Sequence, residues 1–245
     1  MVTYTRISPY KTPRAYPLTR LTIHCAVALW TTKQGVDYFA TNKAKGKPSC
    51  NYFIGRDGGV GLSVPENYKA NTSSSSDNDH RAITIECASS MADPYAFPDA
   101  TYKTLVRLVV DVCRRNGKNK LVWISDKSTA LKYSPKPGEL LLTLHKWFKN
   151  KDCPGRWFLT RIPEFVDEVN TILKGEPVKQ TFLVRVNRTD LNIRQGAGTN
   201  YPIVGIIPKG VFTITEVVPG RGAVNGWGKL KSGVGFISLD YVIRV

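Results

Sequence analysis

The sequence predicts two unlike folding units. A mixed α/β (α+β) domain over residues 1–173 and a small all-β domain over residues 181–245 are joined by a linker at 174–180. Three observations carry this. Through the first 173 residues, short apolar runs bounded by Gly, Pro and polar clusters alternate with helical periods. Beyond residue 181 the helical period disappears, and only short β-branched runs between glycines remain. Between the two, Lys174-Gly175-Glu176-Pro177-Val178-Lys179-Gln180 is polar and turn-forming; as a flexible chain it spans roughly 15 Å.

Residues 1–20 read as an extended arm punctuated by Pro9, Pro13 and Pro17. Leu21 to Val27 is a short β run with His24 inside it. Val36 to Thr41 reads as helix or turn. Ser49 to Ile54 is a strand, and Arg56-Asp57-Gly58-Gly59 signals a hairpin turn into a second one. Lys69 to His80, with four consecutive serines, reads as a polar surface loop. Ala82 to Ala88 is a strand that Glu86 interrupts. A carboxylate there is costly to bury unless paired or functional; an edge strand with Glu86 facing water fits equally. Ala100 to Asn116 is the clearest helix, with Tyr102, Leu105, Val106, Val109, Val112 and Cys113 on one face. Asp99 is its expected N-cap and Gly117 its stop. Leu121 to Ser125 is a strand, and the Pro135-Lys136-Pro137-Gly138 turn leads through Leu140–Leu144 to His145. A last helix covers about Pro163 to Leu173.

The formal net charge is +16 with 42% hydrophobic residues, so the chain can bury a core and suits a polyanionic partner. Nucleic acid, a wall carrying phosphate polymers and an anionic membrane surface all meet that description. Residues 1–174 hold 26 basic and 15 acidic side chains, net +11; residues 175–245 hold 9 and 4, net +5. Both parts therefore share the charge. Five cysteines at irregular spacing argue against a disulfide framework and for synthesis in a reducing compartment. No apolar run reaches the ~20 residues of a membrane span, and none near the start has signal-peptide length. The expectation is synthesis in the cytoplasm without a signal peptide.

The chemistry centres on His145 to Pro154. His145 and Cys153 are the residue types zinc favours, but two ligands do not make a site. Their gap is too long for one helical turn and unlike zinc-finger spacing, so the chain must turn between them. A third ligand must come from elsewhere, and the remaining histidines are His24 and His80. His24 in a strand is ligand or ordinary core on this evidence alone.

Four stretches then occur in a telling order: Leu21-Thr22-Ile23-His24-Cys25-Ala26, Ser49-Cys50-Asn51-Tyr52-Phe53-Ile54-Gly55-Arg56-Asp57-Gly58, Asp79-His80-Arg81-Ala82-Ile83-Thr84-Ile85-Glu86, and His145 followed by Lys151-Asp152-Cys153-Pro154-Gly155. Over roughly residues 18–173 the chain resembles the type 2 N-acetylmuramoyl-L-alanine amidases, a family that includes phage endolysins and bacterial autolysins. The resemblance implies a central mixed β-sheet flanked by helices and one Zn2+ per catalytic domain, held by His24, His145 and Cys153. It implies Glu86 as catalytic acid–base and Lys151 as a charge beside the metal, with His80 on a loop outside the ligand set. Some members carry a tyrosine near the metal where Asn51 stands here, so Asn51 is a candidate substrate contact. A thiolate ligand implies metal loss on acidification.

Leu191-Asn192-Ile193-Arg194-Gln195-Gly196, Gly226-Trp227-Gly228 and Asp240-Tyr241-Val242 are similar to the bacterial SH3-like domain, a small all-β barrel that targets wall enzymes. That resemblance implies Tyr201, Trp227 and Tyr241 as wall-binding candidates; Trp227 reads equally well as core. The partners implied are bacterial peptidoglycan and anionic wall polymers, with no nucleic acid and no membrane insertion. The function implied is an endolysin-like hydrolase cutting the bond between N-acetylmuramic acid and L-alanine, acting on the wall after release. Two rivals use the same residues: a non-catalytic wall receptor, and an SH3-linked cysteine peptidase with Cys153 as nucleophile.

Overall fold

A computed structural model describes residues 1–44, 46–175 and 178–245. The chain divides into two compact units, Met1–Val169 and Asn170–Val245. The expected linker falls partly outside the described residues, at 176 and 177.

In the first unit the elements run β1 (Val2–Thr5), β2 (Lys11–Pro13), β3 (Arg20–Cys25), α1 (Thr32–Thr41), β4 (Tyr52–Ile54), β5 (Val60–Leu62), β6 (Tyr68–Ala70), α2 (Ser76–Arg81), β7 (Ala82–Cys87), α3 (Asp99–Arg115), β8 (Lys120–Val122), α4 (Lys127–Lys132), β9 (Glu139–Leu144) and α5 (Arg156–Leu159); α6 (Ile162–Lys174) begins there and crosses the boundary at residue 170. The sheet order is β1-β5-β4-β7-β3-β9-β8. Strands β4, β7, β3, β9 and β8 are mutually parallel, whereas β5 is antiparallel to β4, which makes the sheet mixed. The β4–β5 hairpin turns where the Arg56–Gly59 signal stands.

Parallel strands buried on both faces need near-continuous apolar sequence. Leu21, Ile23, Ile83, Ile85, Leu140 and Leu142 supply it and are fully buried. β7 is therefore central, which settles the choice left open for Glu86 against the edge strand. The Lys69–His80 stretch is not all loop: Ser75 caps α2 through the backbone N–H of Asn78. Buried Asp79 accepts from the N–H groups of Thr72 and Ser73. A short polar helix buried by such bonds has no apolar period to betray it. Asp99 is the first residue of α3 and Pro98 holds the N-cap position. The strands near residues 49 and 121 are shorter than expected, Tyr52–Ile54 and Lys120–Val122.

Helix α1 starts at a capping box between Thr31 and Gln34. Its Gly35 lies against the ring of Phe53, and a Cβ there would fall 2.2 Å from Phe53 Cε1. Alanine is the better helix former by about 1 kcal/mol. Gly35→Ala is nonetheless expected to destabilise by about 1–3 kcal/mol through overpacking; a denaturant midpoint unchanged or raised would contradict this.

Glu139 opens β9 and accepts from Tyr133 Oη–H, the Lys136 N–H at 3.0 Å and Lys120 Nζ at 3.0 Å. These bonds, led by Tyr133, hold its pKa at about 2. The native value lies below that of an unfolded glutamate, about 4.3. Its stabilisation is therefore present above about pH 4.3 and fades as pH falls toward 2. Glu139→Gln is expected to cost about 1–3 kcal/mol at neutral pH, with the gap to the parent closing in urea titrations at pH 3.

Beyond the end of α6 the second unit is built of strands: β10 (Val178–Val186), β11 (Asn192–Arg194), β12 (Ile203–Ile206), β13 (Gly210–Val218), β14 (Trp227–Leu230), β15 (Phe236–Ser238) and β16 (Ile243–Arg244) form one antiparallel sheet, in the order β12-β11-β15-β14-β13-β10-β16. Val184, Val186, Leu191, Ile207, Ile214, Leu230 and Ile237 make its core.

Candidate metal centre

Sheet register builds the site. His24 is the fifth residue of β3 and Glu86 the fifth of β7, and the two are register partners on adjacent parallel strands. Partners across parallel strands share a face, so both side chains leave the sheet on the same side near its carboxyl end. Ile23 pairs with Leu144, the last residue of β9. His145 therefore follows β9 at the level of His24. Three strands bring two imidazoles and a carboxylate to one spot although 121 residues separate the histidines.

Cys153 returns to this spot because the chain turns tightly after His145. Residues His145–Trp147 form one 3₁₀ turn, and the Lys146 N–H donates to the Cys153 carbonyl at 3.2 Å. That bond closes the gap that spacing alone left open. Gly155 then takes φ +90°, and a Cβ there would meet Tyr95 Cβ at 2.7 Å. The Trp157 N–H donates to the Pro94 carbonyl at 3.0 Å and anchors the same loop. Trp147 stacks on Trp123 with ring centroids 5.6 Å apart, fixing the turn from outside.

The donor atoms converge. His24 Nδ1 lies 3.2 Å from His145 Nδ1 and 3.5 Å from Cys153 Sγ, and the three atoms all lie within 4.8 Å of one another. Tetrahedral zinc with ordinary bond lengths separates two nitrogens by about 3.3 Å and a nitrogen from a sulfur by about 3.6 Å. Both pairs that include His24 therefore stand at zinc-compatible separations, and Cys153 and His145 are close enough for one ion to draw together. Burial, then His145, pushes the His24 pKa well below its ordinary value. Burial and Lys151 lower that of His145 to about 4. Both rings are thus neutral with a lone pair to give. Burial, then Cys25, pushes the Cys153 thiol up. A cation must displace that proton to bind. The Cys25 N–H donates to Cys153 Sγ at 3.4 Å, a bond that favours the thiolate. Sequence reasoning missed Cys25; the only signal was its position next to His24.

Glu86 Oε1 is 3.8 Å from His24 Nδ1, while Oε2 is buried with no hydrogen-bond partner. Burial raises the Glu86 pKa to about 8; a divalent cation alongside would draw it back down. Lys151 sits exposed on the loop between His145 and Cys153. Beneath the site Asn78 bridges Thr22 and Thr143, a buried polar brace drawn from three distant segments that no local pattern announces.

The remaining candidates separate. Asn51 is fully buried. Its amide donates to the Val64 and Tyr68 carbonyls and its oxygen accepts the Thr84 N–H. Its polar atoms are spent on joining β7 to the segment from Val64 to Tyr68, so Asn51 has no free group to offer a substrate. His80 Nδ1 accepts the Ala15 N–H at 3.0 Å and its ring meets Tyr16 edge-on, pinning the N-terminal arm. Tyr201 and Tyr241 are exposed. Trp227 is 2% exposed and its indole N–H donates to the Arg221 carbonyl, which makes it mainly core.

Among the described residues no helix is long and apolar enough to cross a membrane. The chain is similar in fold to the solved structure of PlyL, with 15% identity and a TM-score of 0.50 over 69% of this chain and 97% of that one. A mutant of PlyL matches with 14% identity and a TM-score of 0.51 over 70% and 99%. A mutant endolysin from Bacillus subtilis matches with 14% identity and a TM-score of 0.47 over 69% and 99%. No curated protein matches. The family described as N-acetylmuramoyl-L-alanine amidase matches residues 14–156, more than half of the chain and all the strands that build the site, and the chain belongs to it.

Proposed function

We infer that the first unit hydrolyses the amide between the lactyl group of N-acetylmuramic acid and L-alanine in peptidoglycan, with His24, His145 and Cys153 holding one zinc ion. The convergence of two imidazoles and a thiol, with both separations from His24 at zinc-compatible values, beside a carboxylate whose Oε2 is buried without a hydrogen-bond partner, carries this reading. Zinc, when bound, supplies a Lewis acid that polarises a carbonyl and acidifies water. Glu86 accepts the proton of the attacking water and passes it to the departing nitrogen. Lys151 adds positive charge where the tetrahedral oxyanion forms. The second unit acts as an SH3-like module that holds the enzyme to the wall, and the protein works as a phage-type lysin. The positive charge of both units suits a wall that carries anionic polymers.

Digestion of purified walls, with mass spectrometry of the freed ends, tests the bond cleaved. New N-terminal L-alanine is expected. A chelator should abolish its release and zinc restore it. Release that survives chelation would favour Cys153 as a nucleophile, and binding without release would favour a receptor.

A further inference from the structure

The second unit contains a cleft of about 280 Å³, lined in part by Arg188, Asn192, Arg194, Thr199, Trp227 and Tyr241. Its size is near the lower limit for ligand sites and admits roughly two peptide residues. Its chemistry is specific. Arg194 Nη1 donates to the carbonyls of Thr199 at 3.2 Å and Tyr201 at 2.7 Å. Two main-chain acceptors thus hold the guanidinium rigidly. Neither is an anion, and among the described residues Arg194 has no carboxylate partner. Arg188, by contrast, is paired with Asp190, which also lines the cleft, and lies over the Tyr241 ring at 4.7 Å. The charged lining residues therefore leave one positive charge unmatched, on the arginine already fixed in place. The side chains of Asn192 and Thr199 make no hydrogen bonds within the described residues and remain free to pair with a ligand.

We propose that this cleft binds a carboxylate-bearing stretch of wall peptide, with the carboxylate on Arg194, a peptide amide on Asn192 and aliphatic surface against Tyr241. A planar fork held in position is the geometry that carboxylates reward. The Arg188–Asp190 pair beside it offers an acceptor for a peptide amine, so the cleft suits a chain bearing both charges better than a polymer bearing phosphate alone. The proposal rests on the wall-binding reading of the second unit and deepens it. It also replaces Tyr201 and Trp227 by Arg194 and Asn192 as the residues that recognise the ligand.

The test uses the full chain, isotope-labelled, with L-alanyl-D-glutamyl-L-lysyl-D-alanine as the probe and the Trp227 indole resonance as the reporter. Saturable movement of that resonance is expected. Affinity should fall about tenfold or more in Arg194→Gln, the loss of one charge-assisted hydrogen bond. Amidation of the peptide's carboxylates should weaken it equally. Arg194 also braces residues 199–201, so Asn192→Ala, whose side chain braces nothing, serves as the second variant and should weaken binding several-fold. If Trp227 does not respond while the full chain still sediments with purified walls, the cleft assignment is wrong and wall binding stands. If the chain fails to sediment with walls at all, the wall-binding reading falls and the cleft assignment with it. A response to poly(glycerol phosphate) but not to the tetrapeptide overturns the choice of peptide.

Discussion

Cys153→Ser is expected to empty the metal centre and abolish wall cleavage. The variant keeps nearly the same shape but replaces the thiol with a hydroxyl, which does not ionise at neutral pH. The two imidazoles that remain form an incomplete site. Zinc content should fall from one per chain to a small fraction, and L-alanine release by on the order of 10³-fold or more. His24 and His145, neutral by burial, can still donate, but they supply only two of the three protein donors. The fold should survive, because Cys153 lies on a loop anchored independently by Gly155, Pro94 and Trp157. Metal analysis and circular dichroism on one preparation decide the matter. A variant that retains a full equivalent of zinc would remove Cys153 from the ligand set.

Glu86→Gln should separate catalysis from metal binding. The amide has the shape of the carboxyl but takes no proton from water. Wall cleavage is expected to drop by about 10²- to 10⁴-fold, the usual range for a lost general acid–base, with zinc content unchanged. Stability should move the other way. In the metal-free protein burial raises the Glu86 pKa to about 8, above the unfolded value near 4.3. A group raised in this way opposes folding increasingly as pH rises between those values. Metal-free Glu86→Gln should therefore melt above the parent at pH 8, with the two converging near pH 4. Normal cleavage by the variant, or a melting temperature below the parent at pH 8, would count against a buried catalytic carboxylate.

These two residues show how differently the site was legible. His145, Lys151 and Cys153 lie within one short stretch whose composition suggests metal chemistry, and the turn that unites them is local. His24 and Glu86 have no such context. Each is a polar residue in an apolar run, and such a residue reads as ligand, ordinary core or edge. Only the family resemblance singled them out. They are brought together when β3 and β7 pair in parallel, because that register sets His24 opposite Glu86 and both level with the end of β9.

Asn51 shows the reverse failure. Its place in an ordered motif suggested a substrate contact, yet its amide is consumed by main-chain groups of β7 and of the segment after β5. Arg194 has no local signal, since an arginine in a glycine-rich β segment reads as a solvated charge. Its two carbonyl partners come from a loop that folds back over it, a closure absent from the linear pattern. The α2 helix has no apolar period for a related reason, since its buried side chains, Asn78 and Asp79, are polar.

By itself, the sequence determined the split into a mixed domain and an all-β one, the apolar strands, the long amphipathic α3, the positive charge and the short His145–Cys153 segment. Those depend on composition and local period, which the chain carries residue by residue. The tertiary structure alone decided which polar residues in the apolar strands meet, which are spent as braces, and where a fixed arginine faces a cleft. Sheet order and register join segments far apart in the chain, so nothing within either segment records the pairing.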